Sequence, residues 1–127
     1  MFQIDPLSRK PVYEQLIEQL ERLILSGVLH AGDQLPSVRS LSIELSVNPN
    51  TIQKAYGELD TRGIIYSIPG IGCFVAEGAA ALLSVFKRRR LSDFSALVEE
   101  LALADVEMSE LQDILEKVYK ERGVSHD

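Results

Sequence analysis

The first strong hydrophobic pattern in the chain is helical. Apolar residues recur at intervals of three and four between Val12 and Ser26, which predicts an amphipathic helix that Gly27 ends. Upstream of it, the short alternating run of residues 2–4 predicts a small edge strand. The single apolar face of the helix is typical of one wall of a small core.

Two shorter helical patterns follow, with a break between them. Pro36-Ser37 opens the first, and its apolar positions between 38 and 45 share one face. Pro49 disfavours the helical conformation at the residue before it and suits the first turn of a new helix. The second helix is predicted from Asn50 to Arg62. A connection of about four residues between two such helices is typical of a helix-turn-helix.

A β-hairpin is predicted directly after these helices. Residues 64–68 and 73–75 are rich in β-branched and aromatic side chains, and the turn-forming residues 69–72 lie between them. A helix-turn-helix followed by a hairpin is the form of a winged-helix nucleic-acid-binding domain. The small tip of this wing suits close approach to a sugar–phosphate backbone.

The rest of the chain is again helical in pattern. Apolar residues at mixed spacings predict one long helix over 79–104, bent near Ser92. Ser109 and Gln112 have the spacing of a capping box, which predicts a last helix from there to about Arg122.

The predicted fold is mainly α with a small β-hairpin wing. It consists of a winged helix-turn-helix DNA-binding domain over residues 1–77 and two C-terminal helices over residues 78–127. Two amphipathic helices cannot bury both apolar faces on each other and on a small wing, so part of that surface must face another molecule. Two-fold dimers are the commonest oligomers, which favours a homodimer. The residues predicted for the dimer interface are Leu83, Phe86, Phe94, Leu97, Leu101, Leu111, Leu115 and Val118.

Composition narrows the class of protein. Of 127 residues, 46% are hydrophobic and 25% are charged, a mixture typical of a soluble globular chain. No apolar run approaches the roughly 20 residues of a membrane span, and the N-terminus has no signal-peptide pattern. Cys73 is the only cysteine, so no disulfide can form within the chain. These observations predict a cytoplasmic protein with no membrane partner.

The net charge of −6 is unusual for a DNA-binding protein. Duplex affinity, however, depends on local phosphate contacts and not on the total charge. Two cations, Arg39 and Lys54, lie on the two predicted helices of the helix-turn-helix. The basic run at residues 87–90 is interpreted as a solvated charge run, with auxiliary phosphate contact as the alternative. Few cations per subunit imply modest affinity, which a dimer would increase.

Four short sequence motifs resemble those of the GntR family of bacterial transcription regulators. Together they cover about a third of the chain, in the family's order and spacing. They are Leu35-Pro36-Ser37-x-Arg39, Val47-x-x-x-Thr51, Leu59-x-x-x-Gly63 and Gly70-x-Gly72-x-Phe74-Val75. The short helical tail is similar to that of the YtrA-type subgroup, whose members dimerise through two helices. The resemblance implies a dimeric repressor of an operon, commonly one that encodes membrane transporters.

The same resemblance implies where double-stranded DNA binds. Arg39 and Thr51 match the family's motifs, and Asn50, Thr51 and Lys54 lie on the outer face of the second helix. The residues predicted to bind DNA are Ser37, Arg39, Pro49, Asn50, Thr51, Lys54, Gly70 and Gly72. Structural alternatives exist for several of them. Ser37 can be a helix cap, the glycines can serve the turn alone, and a lysine on an outer face is usually solvated. Arg39 either contacts DNA or pairs with Glu44 or Asp60.

Two positions depart from the family pattern. Asn50 stands where many members have an arginine, and asparagine can bind adenine through two hydrogen bonds. Cys73 stands where threonine is usual, so a small packed residue is the expectation and a redox switch is the alternative.

Enzyme chemistry has little support in the sequence. The two histidines, His30 and His126, lie far apart, and no Cys/His group has the spacing of zinc ligands. No P-loop or dinucleotide-binding motif is present. We therefore predict a regulator that is not an enzyme and has no metal or cofactor. Two alternatives remain open, a protein-interaction winged helix that binds no DNA and a sensor that binds a small-molecule effector at the helical tail.

Overall fold

The computed structural model describes residues 2–123, so His126 lies outside the described residues. Within that range the chain forms six helices and one two-stranded antiparallel sheet, which confirms the predicted fold class. The helices are α1 (Val12–Leu25), α2 (Val38–Leu45), α3 (Pro49–Thr61), α4 (Ala79–Arg88), α5 (Leu91–Leu103) and α6 (Met108–Glu121). The strands are β1 (Ile65–Ile68) and β2 (Gly72–Val75).

Helix α1 begins after Pro11 and buries the apolar face that its period predicts. The edge strand predicted at residues 2–4 is wrong, because these residues pair with no strand. The side-chain amide of Gln19 binds the backbone there instead. Its Oε1 accepts from the N–H of Gln3 at 2.9 Å, and its Nε2 donates to the carbonyl of Gln3. A side chain thus satisfies the backbone groups that a neighbouring strand would have used.

The helix-turn-helix forms as predicted, and both of its helices are capped. Ser37 Oγ accepts a hydrogen bond from the N–H of Ser40 at 3.0 Å at the start of α2. Asn48 Oδ1 accepts from the N–H of Asn50 at 2.8 Å at the start of α3, where Pro49 occupies the first helical position. Each cap binds one of the amides that have no partner inside the helix, and it thereby fixes where the helix begins.

The wing is a hairpin with one further backbone segment beside it. Ile65 pairs with Val75, and the register continues to the turn. The backbone of residues 32–35 lies along the other side of β2. The N–H of Gly32 donates to the carbonyl of Val75 at 2.8 Å, and the N–H of Leu35 donates to that of Cys73 at 2.8 Å. No strand was predictable there, since Gly, Asp and Gln lack the β-branched side chains that mark a strand.

The C-terminal helices differ from the prediction. The single helix predicted over 79–104 is wrong, because α4 and α5 are separate helices, and the tail has three helices where two were expected. The interval of five from Phe86 to Leu91 explains the break, since it interrupts the helical period and the apolar residues on its two sides cannot share one stripe. The chain turns at Arg89 and Arg90, just before the bend predicted at Ser92.

Helix α4 packs with the winged helix. Leu83 is fully buried in the hydrophobic core, and Phe86 packs against that core. Leu83 was predicted for the dimer interface, and that prediction is wrong because its side chain has no exposed surface to offer a partner. The chain divides into two compact units, one through Lys87 and one from Arg88. The functional boundary expected at residue 77 stays a prediction.

The second unit contains α5 and α6. The capping box predicted at Ser109 is wrong, since Glu107 already occupies the cap position without a side-chain hydrogen bond and Ser109 lies inside the helix. The tight turn before it, with Asp105 at φ 65°, lets α6 begin at Met108. Neither α5 nor α6 has a fully buried residue in the described chain, and most of their apolar side chains are exposed.

Candidate nucleic-acid interface

Helix α3 presents a polar face at its beginning. Asn50, Gln53 and Lys54 are exposed, and Thr51 is half-buried. The opposite face lies in the core, where its buried side chains are Ile52, Ala55, Tyr56 and Leu59. The first turns of α3 are therefore held rigidly from below while their polar side chains face outward, as the sequence predicted.

A buried hydrogen bond ties α3 to the start of α2. The hydroxyl of Tyr56 donates to the carbonyl of Pro36 at 2.7 Å. Burial raises the pKa of the Tyr56 hydroxyl, and the nearby Cys73 raises it further, so the group remains a neutral donor. This bond fixes the segment that carries Ser37 and Arg39 relative to the polar face of α3. The sequence indicated Tyr56 only as a core residue.

Arg39 is exposed on α2. Within residues 2–123 its guanidinium forms no ion pair or hydrogen bond, so the pairing with Glu44 or Asp60 considered from the sequence does not occur. Asp60 accepts instead from the hydroxyl of Ser67 at 3.4 Å. Arg39 is thus available to an external anion.

Lys54 is exposed but is not simply solvated. Its Nζ atom lies 3.8 Å from the centroid of the Tyr13 ring, so α1 provides a neighbour for a cation on α3. A lysine ammonium over the face of a tyrosine ring is attracted by the negative face of the ring. The sequence could not indicate this contact, because the two residues are 41 positions apart, 54 − 13.

The tip of the wing depends on its glycines. Gly70 has φ 79° and Gly72 has φ 145°, both in the region that favours glycine. A Cβ atom at Gly72 would lie 2.6 Å from Nε2 of Gln34, and that Nε2 donates to the carbonyl of Ile71 at 3.1 Å. The turn requires Gly72 for structural reasons, as the alternative interpretation proposed. Ile71 is left exposed at the tip.

Cys73 lies half-buried on β2. Its Sγ atom is 3.2 Å from the hydroxyl oxygen of Ser67 on the paired strand. The contact suits the small packed residue expected at this position.

A group of charges under α3 escaped the sequence analysis. The carboxylate of Glu21 is buried, with Lys87 Nζ at 3.1 Å and Arg62 Nη1 at 3.6 Å. Arg62 also bonds Glu58 at 2.6 Å. Lys87 therefore does not belong to a uniformly solvated basic run. The sequence did carry a signal of this buried charge, because Glu21 lies four residues after Ile17 on the apolar face of α1.

Other kinds of site find no support. Among the described residues no group of His, Cys, Asp or Glu side chains could hold a metal ion. None of the helices described here has both the length and the apolar character needed to cross a membrane.

Comparison with known proteins identifies the family. Residues 12–75 match the family described as "Bacterial regulatory proteins, gntR family". The HTH-type transcriptional repressor YtrA of Bacillus subtilis is 39% identical over 119 residues, which are 93% of this chain and 92% of YtrA. The match to a repressor of similar length therefore extends beyond the winged helix into the helical tail.

Solved structures agree with this assignment. A transcriptional regulator from Oenococcus oeni has a TM-score of 0.70 and 34% identity, and covers 91% of this chain and 96% of its own. The DNA-binding domain of AraR in complex with operator ORX1 has a TM-score of 0.52 and 36% identity, over 60% of this chain and 93% of that one. YtrA from Sulfolobus acidocaldarius, a GntR-family transcription factor, has a TM-score of 0.61 and 28% identity, and covers 97% of this chain and 100% of its own.

The family and these relatives are regulators of transcription and not enzymes. The four motifs of this chain that resemble the family lie on the elements described above. The Leu-Pro-Ser segment caps α2, and the glycine pair forms the wing tip. The chain belongs to the GntR family of bacterial transcriptional regulators.

Proposed function

We propose that this regulator is a homodimeric, sequence-specific repressor that binds an inverted-repeat operator in double-stranded DNA. The observation that carries the proposal is the exposed polar beginning of α3, held by its cap and by the Tyr56 hydrogen bond. Helix α3 enters the major groove, and the wing lies on the minor groove or backbone. The DNA-binding domain of AraR, similar to 60% of this chain, is solved in complex with operator DNA, which supports this placement.

Each exposed side chain of the helix-turn-helix has a role in this proposal. Arg39 and Lys54 bind phosphates, which gives affinity without sequence information. Asn50 lies in the first turn of α3, where side chains reach base edges most readily, and its amide can bind adenine through two hydrogen bonds. Thr51, beside it, binds a phosphate or a base edge, while Ser37 and Pro49 mainly set the helix ends.

The wing contributes without cations. No lysine or arginine occurs between Gly63 and Phe86, so the tip can offer only backbone N–H groups and apolar side chains to DNA. Gly70 and Gly72 let the backbone come close, and Ile71 is exposed between them. The wing should therefore add little to the salt dependence of binding.

The second unit supplies the dimer in this proposal. Phe94, Leu97, Leu115 and Val118 are each about half exposed although their helices are well formed. A second copy would bury these faces. Two recognition helices related by a two-fold axis fit half-sites about one helical turn apart, roughly 10 base pairs.

Repression and physiological role are inferred from relatives. YtrA of B. subtilis is named a transcriptional repressor, and its match to this chain extends over nearly the whole of both proteins. We extend repression to this chain, in the cytoplasm, with a transporter-related operon as its target. The net charge of −6 favours one competing function, a winged helix that binds protein partners.

Titration of DNA at several salt concentrations tests the proposal. The probes are DNA retained from a random pool by the intact chain and a scrambled duplex. Arg39→Ala and Lys54→Ala should weaken binding to both DNAs, and Lys54→Ala should lower the salt slope by about one per subunit. Asn50→Ala should cost about 1–3 kcal/mol per half-site on the selected DNA only. Lys117→Ala on α6 is the control and should leave binding unchanged.

The proposal fails if the Arg39, Asn50 and Lys54 variants all bind DNA as the unchanged chain does. The protein-interaction function takes its place if the unchanged chain retains no DNA from the random pool.

A further inference from the structure

The contact between Lys54 and Tyr13 joins two helices of the first unit. Lys54 is exposed on α3, whereas Tyr13 is a partly buried residue of α1 that packs against the core. The Lys54 ammonium lies 3.8 Å from the ring centroid, well within the range of a cation–π interaction. A residue of the supporting helix thus holds a cation of the proposed recognition helix.

The ring is the rigid member of this pair. Tyr13 has two side-chain torsions, its ring packs on the core, and its hydroxyl donates to Oε1 of Glu14 at 3.3 Å. Lysine has a flexible four-carbon stem and a strongly hydrated ammonium. The position of the Lys54 ammonium is therefore set by the ring.

We infer that Tyr13 is a positioning residue for DNA binding, whose ring holds the Lys54 ammonium in place for contact with a phosphate of the operator. The inference rests on the proposed function, because it requires Lys54 to bind DNA. A long side chain that is free in solution loses conformational entropy when it binds a phosphate. A side chain that is already held loses less, so Tyr13 strengthens binding without touching DNA.

Two substitutions separate the ring from the hydroxyl. Tyr13→Leu keeps an apolar side chain at the edge of the core but removes the ring, and Tyr13→Phe keeps the ring. The probes are again the selected DNA and the scrambled duplex. We expect Tyr13→Leu to weaken binding to both about two- to tenfold per subunit, because DNA must then order one long side chain that the ring no longer holds. Tyr13→Phe should bind as the unchanged chain does.

A double-mutant cycle distinguishes positioning from a general contribution to folding. In the Lys54→Ala background, Tyr13→Leu should have no further effect on DNA binding, because there is no ammonium left to position. The salt slope gives a second readout. It should fall with Lys54→Ala but not with Tyr13→Leu, since the ammonium still reaches the phosphate. Thermal unfolding of each variant reports the fold independently.

Several results would overturn the inference and leave the proposed function standing. The first is unchanged or stronger binding by Tyr13→Leu. The second is equal weakening by Tyr13→Phe and Tyr13→Leu, and the third is the same loss from Tyr13→Leu with and without Lys54. The fourth is unchanged binding by Lys54→Ala alone. Should Tyr13→Leu fail to fold, proton NMR of the unchanged chain decides. The side-chain protons of Lys54 must be shifted upfield by the ring, and unshifted protons would refute the contact. The proposed DNA-binding surface fails when the Arg39, Asn50 and Lys54 variants are all silent.

Discussion

Removing the Lys87 ammonium should destabilise the first unit, although Lys87 begins a run of four basic residues that looks solvated in the sequence. Its Nζ atom lies 3.1 Å from the buried carboxylate of Glu21. Lys87→Met keeps the apolar stem and deletes the charge. A buried acceptor that loses its partner costs about 1–3 kcal/mol. Arg62 Nη1 remains 3.6 Å from the carboxylate, which reduces the expected loss to about 1–2 kcal/mol.

An exposed ion pair to α1 offers a matched control. Lys10 Nζ lies 2.6 Å from the carboxylate of Glu18, but the two side chains are 53% and 45% exposed. Lys10→Met should therefore cost about 0.5 kcal/mol or less, as exposed pairs usually do. Both losses of unfolding free energy are to be measured by urea unfolding at one fixed protein concentration, because dimerisation would make stability depend on concentration. With a slope of about 1–2 kcal/mol per molar urea, Lys87→Met should lower the midpoint by about 1 M.

A second substitution identifies the cause. An amide at position 21 needs no opposite charge, so adding Glu21→Gln to Lys87→Met should recover most of the lost stability. The electrostatic reasoning is refuted if Lys87→Met and Lys10→Met unfold at the same urea concentration. It is also refuted if the effects of Glu21→Gln and Lys87→Met are additive.

Three further predictions concern the core, the wing and the dimer. Leu83→Ala should destabilise the chain by about 2–5 kcal/mol in urea unfolding, and a similar loss for the exposed Val85→Ala would contradict the burial of Leu83. Gly72→Ala should destabilise the chain by about 1–3 kcal/mol. Adding Gln34→Ala to it should remove the steric part of that loss but not the part that comes from the positive φ. Full recovery of stability would show that backbone strain is absent. Leu97→Glu should give a monomer in light scattering, and it should weaken protection of both half-sites in footprinting at a protein concentration where the unchanged chain protects them fully. The dimer proposal fails if the intact chain is already monomeric at micromolar concentration.

Elements with local signals were predictable from the sequence. A proline after an asparagine marked the start of α3, and a serine after Pro36 marked that of α2, because caps and helix-starting prolines act within a few residues. The hairpin carried an equally local signal in its two glycines. The apolar period located α1 for the same reason.

Features that depend on distant partners were not predictable. The burial of Leu83 depends on where α4 packs, and the apolar pattern of a helix looks the same whether it faces a core or a second copy. The segment at residues 32–35 lies along β2 through backbone hydrogen bonds, which no side-chain pattern records. The residues predicted to contact DNA came from the family resemblance and from the polar face of the second helix, and their geometry explains why they are exposed or capped.

The location of the charges explains how an acidic chain can still present a surface that suits DNA. Glu21 and Glu58 are paired with Arg62, and Glu21 also with Lys87, so these carboxylates are partly neutralised within the protein. The guanidinium of Arg39 has no such partner in the described residues, and the neighbour of Lys54 is a neutral ring. Salt screens charges that lie farther apart than a Debye length of about 8 Å. A phosphate that far from the other carboxylates is therefore attracted mainly by the cations beside it. The total charge of −6 therefore limits non-specific attraction more than it limits binding by the helix-turn-helix.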